Sequence, residues 1–355
     1  MSGTRRSRKK IPALAAMALM TALTGSVLPA ERASAAPSGS ETPKSGREAK
    51  ASPNGSKQRR SAERFAADGS ADPAAPIPAS AAYGEPPSLP TASAASSDFA
   101  KLTAKGNVQG MWRYIDAHAA SASPASVTVW LHRLEAVQFK RLAPLEESLS
   151  GSEVQAALMN ADLFAEDGSW KRGVRTGLPQ ADALLRELET DGYVLDTTEG
   201  YYFPKIDYER YLKYADDVGR RYADYLTIRA DETRSELTKD AGLIVSWEEL
   251  LDRAERQRLY LERYPSSPES DTVGQMYAQS LYIVLYGTDN VPLFDFRTGE
   301  IDPDARAAYK RKAAEGGPSS FAKMLRGYVR LLEQGGGKLT RQAEAFREAR
   351  NPWKE

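Results

Sequence analysis

Apolar residues recur at three- and four-residue spacing through most of the chain from residue 98 onward. That period is typical of amphipathic helices, because it places the apolar side chains on one face. The clearest stripe follows the helix-start pair Ser123-Pro124. Its members are Val127, Trp130, Leu131, Leu134 and Val137. The pattern as a whole predicts an all-α fold: a single helical domain over residues 98–355, built as an array of about nine or ten antiparallel helices.

The helical period breaks at YVLDTTEGYYFPKI, near residues 193–206. Two short runs rich in aromatic and β-branched residues flank Thr198-Glu199-Gly200, and a three-residue loop with glycine between such runs predicts a β-hairpin. Successive side chains of a strand point to opposite faces, so Tyr201 and Phe203 share one face and Tyr202 takes the other. At least one of these faces is then a candidate contact surface.

A long helix is predicted to follow the hairpin. Asp207 stands where an N-cap is expected, and the apolar spacing runs without interruption from Tyr208 through Tyr211 to Leu226. Tyrosine is concentrated in this part of the chain, with 13 of the 17 tyrosines between Tyr193 and Tyr286. Tyrosines at helical spacing are more often packing residues than ligand contacts, although tyrosine also suits contact surfaces because it has an apolar ring and a polar tip.

The most regular helical pair covers residues 246–287. Ser246 and Glu249 have the spacing of a capping box, Ser267 and Pro268 suggest the start of the second helix, and Gly287 is placed as a C-cap. This piece resembles a tetratricopeptide-like helical hairpin, a family that often ends its first helix near Tyr-Pro. The pattern does not repeat at a fixed period elsewhere in the sequence, so the resemblance implies one hairpin of that kind and not a solenoid.

Residues 98–355 also contain the segments GY…EGYYFP…IDY and NVPLFD. With these segments, the domain resembles an uncharacterised family of secreted proteins from Gram-positive bacteria. The resemblance implies export and brings no activity with it.

Export is also predicted from the first 35 residues. Five cations within Met1–Lys10 precede an apolar run, and ASAA supplies small residues for signal-peptide cleavage between Ala35 and Ala36. The predicted location is therefore secreted or associated with the cell wall. An uncleaved signal that tethers the protein to the membrane is the alternative, and Arg5-Arg6 leaves the twin-arginine route open beside the general secretory one.

Residues 36–97 have the composition of a disordered linker rich in Ala, Ser and Pro. Nine of the 21 prolines lie there, and large apolar residues are few. Such a segment buries too little apolar surface to offset the entropy of ordering the chain. The sequence contains no cysteine, so disulfides cannot support the fold.

The first 97 residues and the predicted domain differ in the sign of their net charge. The first 97 residues contain 13 Lys and Arg against 7 Asp and Glu, whereas the remainder contains 35 against 41. A net acidic domain without an obvious basic block argues against nucleic acid as a partner, because nucleic-acid affinity depends on neutralising phosphates.

The sequence lacks the usual signatures of catalysis. Only two histidines are present: His118 is expected at a helix C-terminus and His132 at the flank of a helix. No metal site and no cofactor are predicted, since HExxH and GxSxG are absent. The run EQGGGK follows a predicted helix instead of opening one, so it lacks the array of backbone amides that holds phosphate.

Two functional interpretations remain open. The first is an exported, non-catalytic helical protein that binds an envelope protein or a wall polymer. Its predicted contacts are Tyr201, Tyr202, Phe203, Tyr208 and Tyr211, and its catalytic residues are unknown because none are expected. The alternative is a carboxylate-based hydrolase of cell-wall glycan, which requires two carboxylates facing one cleft.

Overall fold

The computed structural model describes residues 97–354, and within them helices predominate as predicted. The predicted signal segment and the predicted linker up to residue 96 lie outside the described residues. Elements of the N-terminal half are α1 (Ser97–Ala104), α2 (Val108–His118), α3 (Pro124–Leu149), α4 (Ser152–Met159), α5 (Pro179–Asp191), β1 (Tyr193–Thr198), β2 (Tyr201–Ile206), α6 (Tyr208–Tyr211) and α7 (Arg220–Arg234). Elements of the C-terminal half are β3 (Thr238–Lys239), β4 (Gly242–Leu243), α8 (Trp247–Arg263), α9 (Ser270–Tyr286), α10 (Pro303–Glu315), α11 (Ser320–Gln334) and α12 (Arg341–Glu348).

Local capping explains where many of the helices begin. A side-chain oxygen just before the first turn accepts a backbone N–H that has no partner inside the helix. The residues that do this are Asn107, Ser123, Asp207, Ser246, Asp302, Ser319 and Thr340. Of these, Ser123, Asp207 and Ser246 were predicted from the sequence as helix starts.

The hairpin forms at the predicted residues, with a shorter loop than expected. Tyr201 pairs with Thr198 and Ile206 pairs with Tyr193, so β1 and β2 are joined by Glu199-Gly200 alone. Both loop residues have positive φ, 48° and 78°, which is the backbone that a two-residue turn of matching twist requires.

The predicted long helix after Asp207 is broken into three pieces. Helix α6 has four residues, a 3₁₀ segment covers Leu212–Asp217, and α7 begins only at Arg220. Val218 is extended and Gly219 precedes the first turn of α7. Glycine loses more conformational freedom than other residues when it enters a helix, and this favours the break at that position although the apolar spacing continues.

Helices α8 and α9 form the predicted helical pair, with two corrections at their caps. Glu249 does not reach back to Ser246, because its carboxylate accepts a hydrogen bond of 2.8 Å from Nε of Arg253 instead. The second helix begins at Ser270 and not at Pro268. Gly287 ends α9 with φ of 79°, as its predicted C-cap role requires.

Buried apolar side chains form two clusters. The first is built by α1–α7 and the β1–β2 hairpin, together with Tyr260 and Val273. The second is built by α8–α12 and the segments between them. Helices α8 and α9 thus contribute to both clusters. Within residues 97–354, none of the helices combines the length and the apolar character that crossing a bilayer needs.

Candidate functional site

The five aromatic residues predicted as ligand contacts differ widely in exposure. Tyr201 is 37% exposed, whereas Tyr202 and Phe203 retain only 9% and 8% of their surface. Helix α4 covers Tyr202: Nε2 of Gln155 donates to its carbonyl oxygen and its N–H donates to Oε1 of Gln155, both at 2.9 Å. Burial along β2 does not alternate: Tyr201 is exposed, whereas the residues from Tyr202 to Ile206 are buried.

Tyr208 and Tyr211 lie fully in the interior, so their predicted contact role is revised to a packing and hydrogen-bonding role. The hydroxyl of Tyr208 donates to Oε1 of Glu135 at 2.7 Å, and that of Tyr211 donates to Oε1 of Gln138. Of the five predicted residues, Tyr201 alone presents a substantial part of its ring to solvent.

Glu135 is the acceptor at the centre of this interior network. It receives hydrogen bonds from the hydroxyls of Tyr208 at 2.7 Å, Tyr225 at 2.6 Å and Tyr222 at 3.3 Å. Burial raises the pKa of Tyr222 and Tyr225 well above the usual tyrosine value, and the negative charge of Glu135 adds to that shift. These hydroxyls therefore remain donors and satisfy a carboxylate that would be costly to bury alone.

His132 joins Glu135 to a second buried carboxylate, so the prediction that it lies at the flank of a helix is wrong. Its Nδ1 lies 3.7 Å from Oε2 of Glu135, and its Nε2 lies 3.0 Å from Oε1 of Glu269. Arg221 approaches the other oxygen of Glu269 at 3.1 Å, and the hydroxyl of Tyr260 donates to that same oxygen at 3.0 Å. The side chains of His132 and Glu269 are both completely buried.

This network can hold charge inside the protein, but it cannot meet a ligand from solvent. Burial raises the pKa of Glu269, yet the hydrogen bond and charge of His132 together with the charge of Arg221 outweigh burial and leave the pKa below its usual value. The carboxylate thus stays ionised where it is paired. We assign the network to stability.

A pocket of about 610 Å³ between α2, α3 and α5 contains two carboxylates, Glu187 and Asp191. Arg141 contacts both: Nη2 lies 2.5 Å from Oε1 of Glu187 and Nη1 lies 2.5 Å from Oδ2 of Asp191. A glycoside hydrolase needs the space between its two carboxylates for the scissile bond. Here the guanidinium occupies that space, and neither Tyr201 nor Tyr202 lines the pocket.

Charge is strongly segregated along the domain. Residues 98–300 contain 23 Lys and Arg against 34 Asp and Glu, whereas residues 301–355 contain 12 against 7. The sum over the whole domain conceals this reversal of sign. Charges of one sign that collect on one surface create a potential that attracts ligands of the opposite sign.

Helices α10 and α11 bring many of these cations to one surface. We call this surface the basic face and define it as Arg306, Lys310, Arg311, Arg326, Arg330 and Lys338. On α10, Nε of Arg306 lies 2.8 Å and Nζ of Lys310 lies 3.2 Å from the two oxygens of Glu333. Residues three and seven positions before Glu333 lie on the same side of α11, which puts Arg330 and Arg326 on the Glu333 side of that helix. Arg326 lies toward the start of α11, where its Nη1 is 3.4 Å from the carbonyl oxygen of Gly317.

A pocket of about 790 Å³ opens in the basic face. Its lining residues are Glu300, Ile301, Pro303, Arg306, Ala307, Lys310, Arg311, Gly336 and Gly337. Three carboxylates partner cations of the face: Glu333 holds Arg306 and Lys310, Glu248 pairs with Arg311, and Glu300 lies 3.8 Å from Lys338. Six cations against three carboxylates leave a local excess of positive charge.

The run EQGGGK forms one wall of this pocket. The amides of Gly336 and Gly337 donate to the carbonyls of Glu333 and Leu332, so they close the end of α11 and are not available to a phosphate, as the sequence predicted. Gly337 has φ of 84°, and a Cβ at this position would lie 2.8 Å from Nη1 of Arg306. Glycine is required here because the guanidinium packs directly on the backbone.

The sequence contained signals for the basic face that the prediction did not use. Arg306 and Lys310 are four residues apart, as are Arg326 and Arg330, and each spacing places two cations on one side of a helix. The sequence does not show that the two sides meet. Within residues 97–354, no group of three or more His, Asp and Glu residues is arranged to hold a metal ion.

Comparisons with protein-family models, with curated proteins and with solved structures give no match to this chain.

Proposed function

We propose that this protein is a non-catalytic binding protein of the bacterial envelope whose basic face takes an anionic wall polymer. The observation that carries the proposal is the pocket that Arg306, Lys310 and Arg311 line, among the cationic last helices of a domain that is otherwise acidic. Export to the wall, predicted from the first 35 residues, would bring the basic face to such a polymer.

Two features support a polymer over a small ligand. The cations extend along two helices instead of converging on one point, and a repeating anion can engage several of them at once. Side chains of Lys310, Arg311 and Lys338 are 53%, 59% and 61% exposed, so a large ligand can reach them. Each contact is weak alone, because exposed ion pairs contribute about 0–1 kcal/mol. The affinity for the polymer would come from the number of such contacts.

Sedimentation of the full chain with insoluble Gram-positive cell walls tests the proposal. We expect the protein to sediment with intact walls, to be released as salt rises, and to remain in solution when the anionic polymer has been extracted from the walls. Raising salt weakens contacts between exposed charges because it screens them.

Charge reversal provides the matched comparison. Lys310→Glu combined with Arg330→Glu should lower wall binding by about ten-fold or more, since two contacts become repulsive. Lys101→Glu combined with Lys105→Glu changes the net charge equally at the exposed end of α1, and we expect binding within about two-fold of wild type. Equal losses in both double variants would contradict the proposal. Loss of binding after protease treatment of the walls would point to a protein partner instead.

A further inference from the structure

The pocket of about 610 Å³ between α2, α3 and α5 has two rows of polar side chains on its α5 side. Glu187 and Asp191 are four residues apart and form one row on that helix. Arg186 and Thr190 have the same spacing and form the neighbouring row. All four residues line the pocket, so negative and positive groups stand next to each other along one wall.

The two carboxylates have oxygens that no donor satisfies. The side chain of Asp191 is 5% exposed, and its Oδ2 accepts from Arg141, but within residues 97–354 its buried Oδ1 accepts no hydrogen bond. Glu187 likewise gives Oε1 to Arg141, and its Oε2 has no donor in the described residues. A buried acceptor without a donor is costly, so this wall favours a ligand that donates hydrogen bonds.

Gln109, on the α2 side of the pocket, supplies a third acceptor. The hydroxyl of Thr190 donates to backbone carbonyls of α5, so it must accept from Nε2 of Gln109 at 3.1 Å. That contact fixes the orientation of the amide and leaves its Oε1 without a donor among the residues that the structure describes. A primary ammonium group carries three N–H donors and a positive charge, which matches three acceptors of which two belong to carboxylates.

Arg186 sets the opposite requirement. In the part of the chain that the structure describes, its guanidinium has neither a hydrogen bond nor an ion pair, and Asp182, four residues earlier, accepts from Thr176 instead. A guanidinium fork binds the oxygens of an anionic group, whether carboxylate or phosphate. The two arginines and two carboxylates of the lining sum to no net charge. The matching ligand therefore carries both charges and is neutral as a whole.

We infer that this pocket binds a small zwitterion through its primary ammonium group, with the anionic group of the ligand on Arg186. The ammonium group is received by Asp191, Glu187 and Gln109. Arg141 holds the two carboxylates in place from the other side. The inference goes beyond the proposed function, because it concerns a different pocket and a different ligand from those of the basic face.

Isothermal titration calorimetry of the full chain tests the inference with glycine, L-alanine, D-alanine and glycerophosphoethanolamine. We expect at least one of these zwitterions to bind, and the one that binds shows whether Arg186 takes a carboxylate or a phosphate. Its N-acetylated counterpart, which has no ammonium group, should bind at least ten-fold more weakly. Equal affinity of the acetylated compound or of glucose, or no binding of any probe at about 10 mM, would overturn the inference.

Two arginines provide a matched pair of variants. Arg186 and Arg297 are both exposed, and Arg297 lies in the loop before α10 and does not line the pocket. Arg186→Gln should weaken binding of the zwitterion by about ten-fold, whereas Arg297→Gln should stay within about two-fold of wild type. Equal effects of the two variants would contradict the assigned role of Arg186.

Glu187→Gln tests the ammonium side of the site. The substitution keeps the size of the side chain and removes its charge, so we expect about ten-fold weaker binding of the zwitterion. Thermal melting shows whether the loosened contact with Arg141 disturbs the fold, and Arg186→Gln decides the question if it does. Unchanged affinity in a folded Glu187→Gln variant would overturn the assignment of the ammonium group to this wall.

Discussion

His132 and Glu269 meet in the interior, with Nε2 of the imidazole 3.0 Å from Oε1 of the carboxylate and both side chains fully buried. His132 lies on α3 and Glu269 immediately precedes α9, so the contact ties the N-terminal helices to the α8–α9 pair. Arg221 completes the charge balance by pairing with Glu269.

Replacing His132 should destabilise the fold strongly. Removing the imidazole takes a close polar partner from the buried carboxylate of Glu269 and leaves a cavity, which together cost about 3–5 kcal/mol. We expect His132→Ala to lower the free energy of unfolding by that amount in urea denaturation. His118→Ala is the control: His118 is exposed and its loss should change the free energy by no more than about 0.5 kcal/mol. Similar values for the two variants would show that the buried contact does not stabilise the fold.

Stability should depend on the charge of Glu269 in the acidic range. Because its pKa is lowered in the folded protein, its contribution is complete above the pKa of an unfolded glutamate, about 4.3, and is lost as pH falls through the lower folded value. Urea unfolding of wild type and of Glu269→Gln, measured in steps from about pH 7 to pH 3, should give curves that converge at acidic pH. A difference that stays constant with pH would refute the charge-based explanation.

The tyrosine hydroxyls that donate to Glu135 should contribute unequally to the free energy of unfolding, because they lie at different distances from its carboxylate. Tyr225 donates at 2.6 Å and Tyr222 at 3.3 Å. Hydrogen bonds to a charged acceptor contribute about 1.5–3 kcal/mol, so Tyr225→Phe should reduce the free energy of unfolding by about that amount. Tyr222→Phe should cost clearly less, because a long hydrogen bond is weaker. The reverse order, measured by urea denaturation, would contradict the network as described.

Tyr202 and Tyr201 should behave as a core residue and a surface residue. Tyr202 is nearly buried under α4, so Tyr202→Ala leaves a cavity and should cost about 3–5 kcal/mol of unfolding free energy. Tyr201→Ala should cost less than about 1 kcal/mol, because much of its ring is already in solvent. Thermal melting of both variants distinguishes them. If Tyr201→Ala then weakens wall binding, the predicted hairpin contact survives at that one ring.

Export can be checked independently of the fold. N-terminal sequencing of the protein recovered from culture medium or from the wall should begin at Ala36, because the small residues before it form the cleavage site. A protein that begins at Met1 or Ser2 and remains with the membrane would show that the signal is retained as an anchor.

Local signals in the sequence were enough to predict where the β1–β2 hairpin lies and where several helices begin. The β1–β2 hairpin formed at residues 193–206 because a turn with glycine separates two runs of strand-forming residues. The starts of helices at Ser123, Asp207 and Ser246 were predictable because each side chain caps a backbone N–H three residues ahead. Such effects involve neighbours in the chain and can be recognised without the fold.

Which side chains are buried, and which charged side chains lie together, depended on residues that are distant in sequence. His132 has a polar side chain beside Trp130 on a helix, and its place in the interior depends on Glu269, which only the packing of α9 brings near. The basic face likewise depends on packing, because Arg306 and Lys310 of α10 meet Glu333 of α11 only in the folded chain. Spacing along one helix places residues on one side of it, but the neighbouring element decides whether that side meets solvent, an ion partner or other cations.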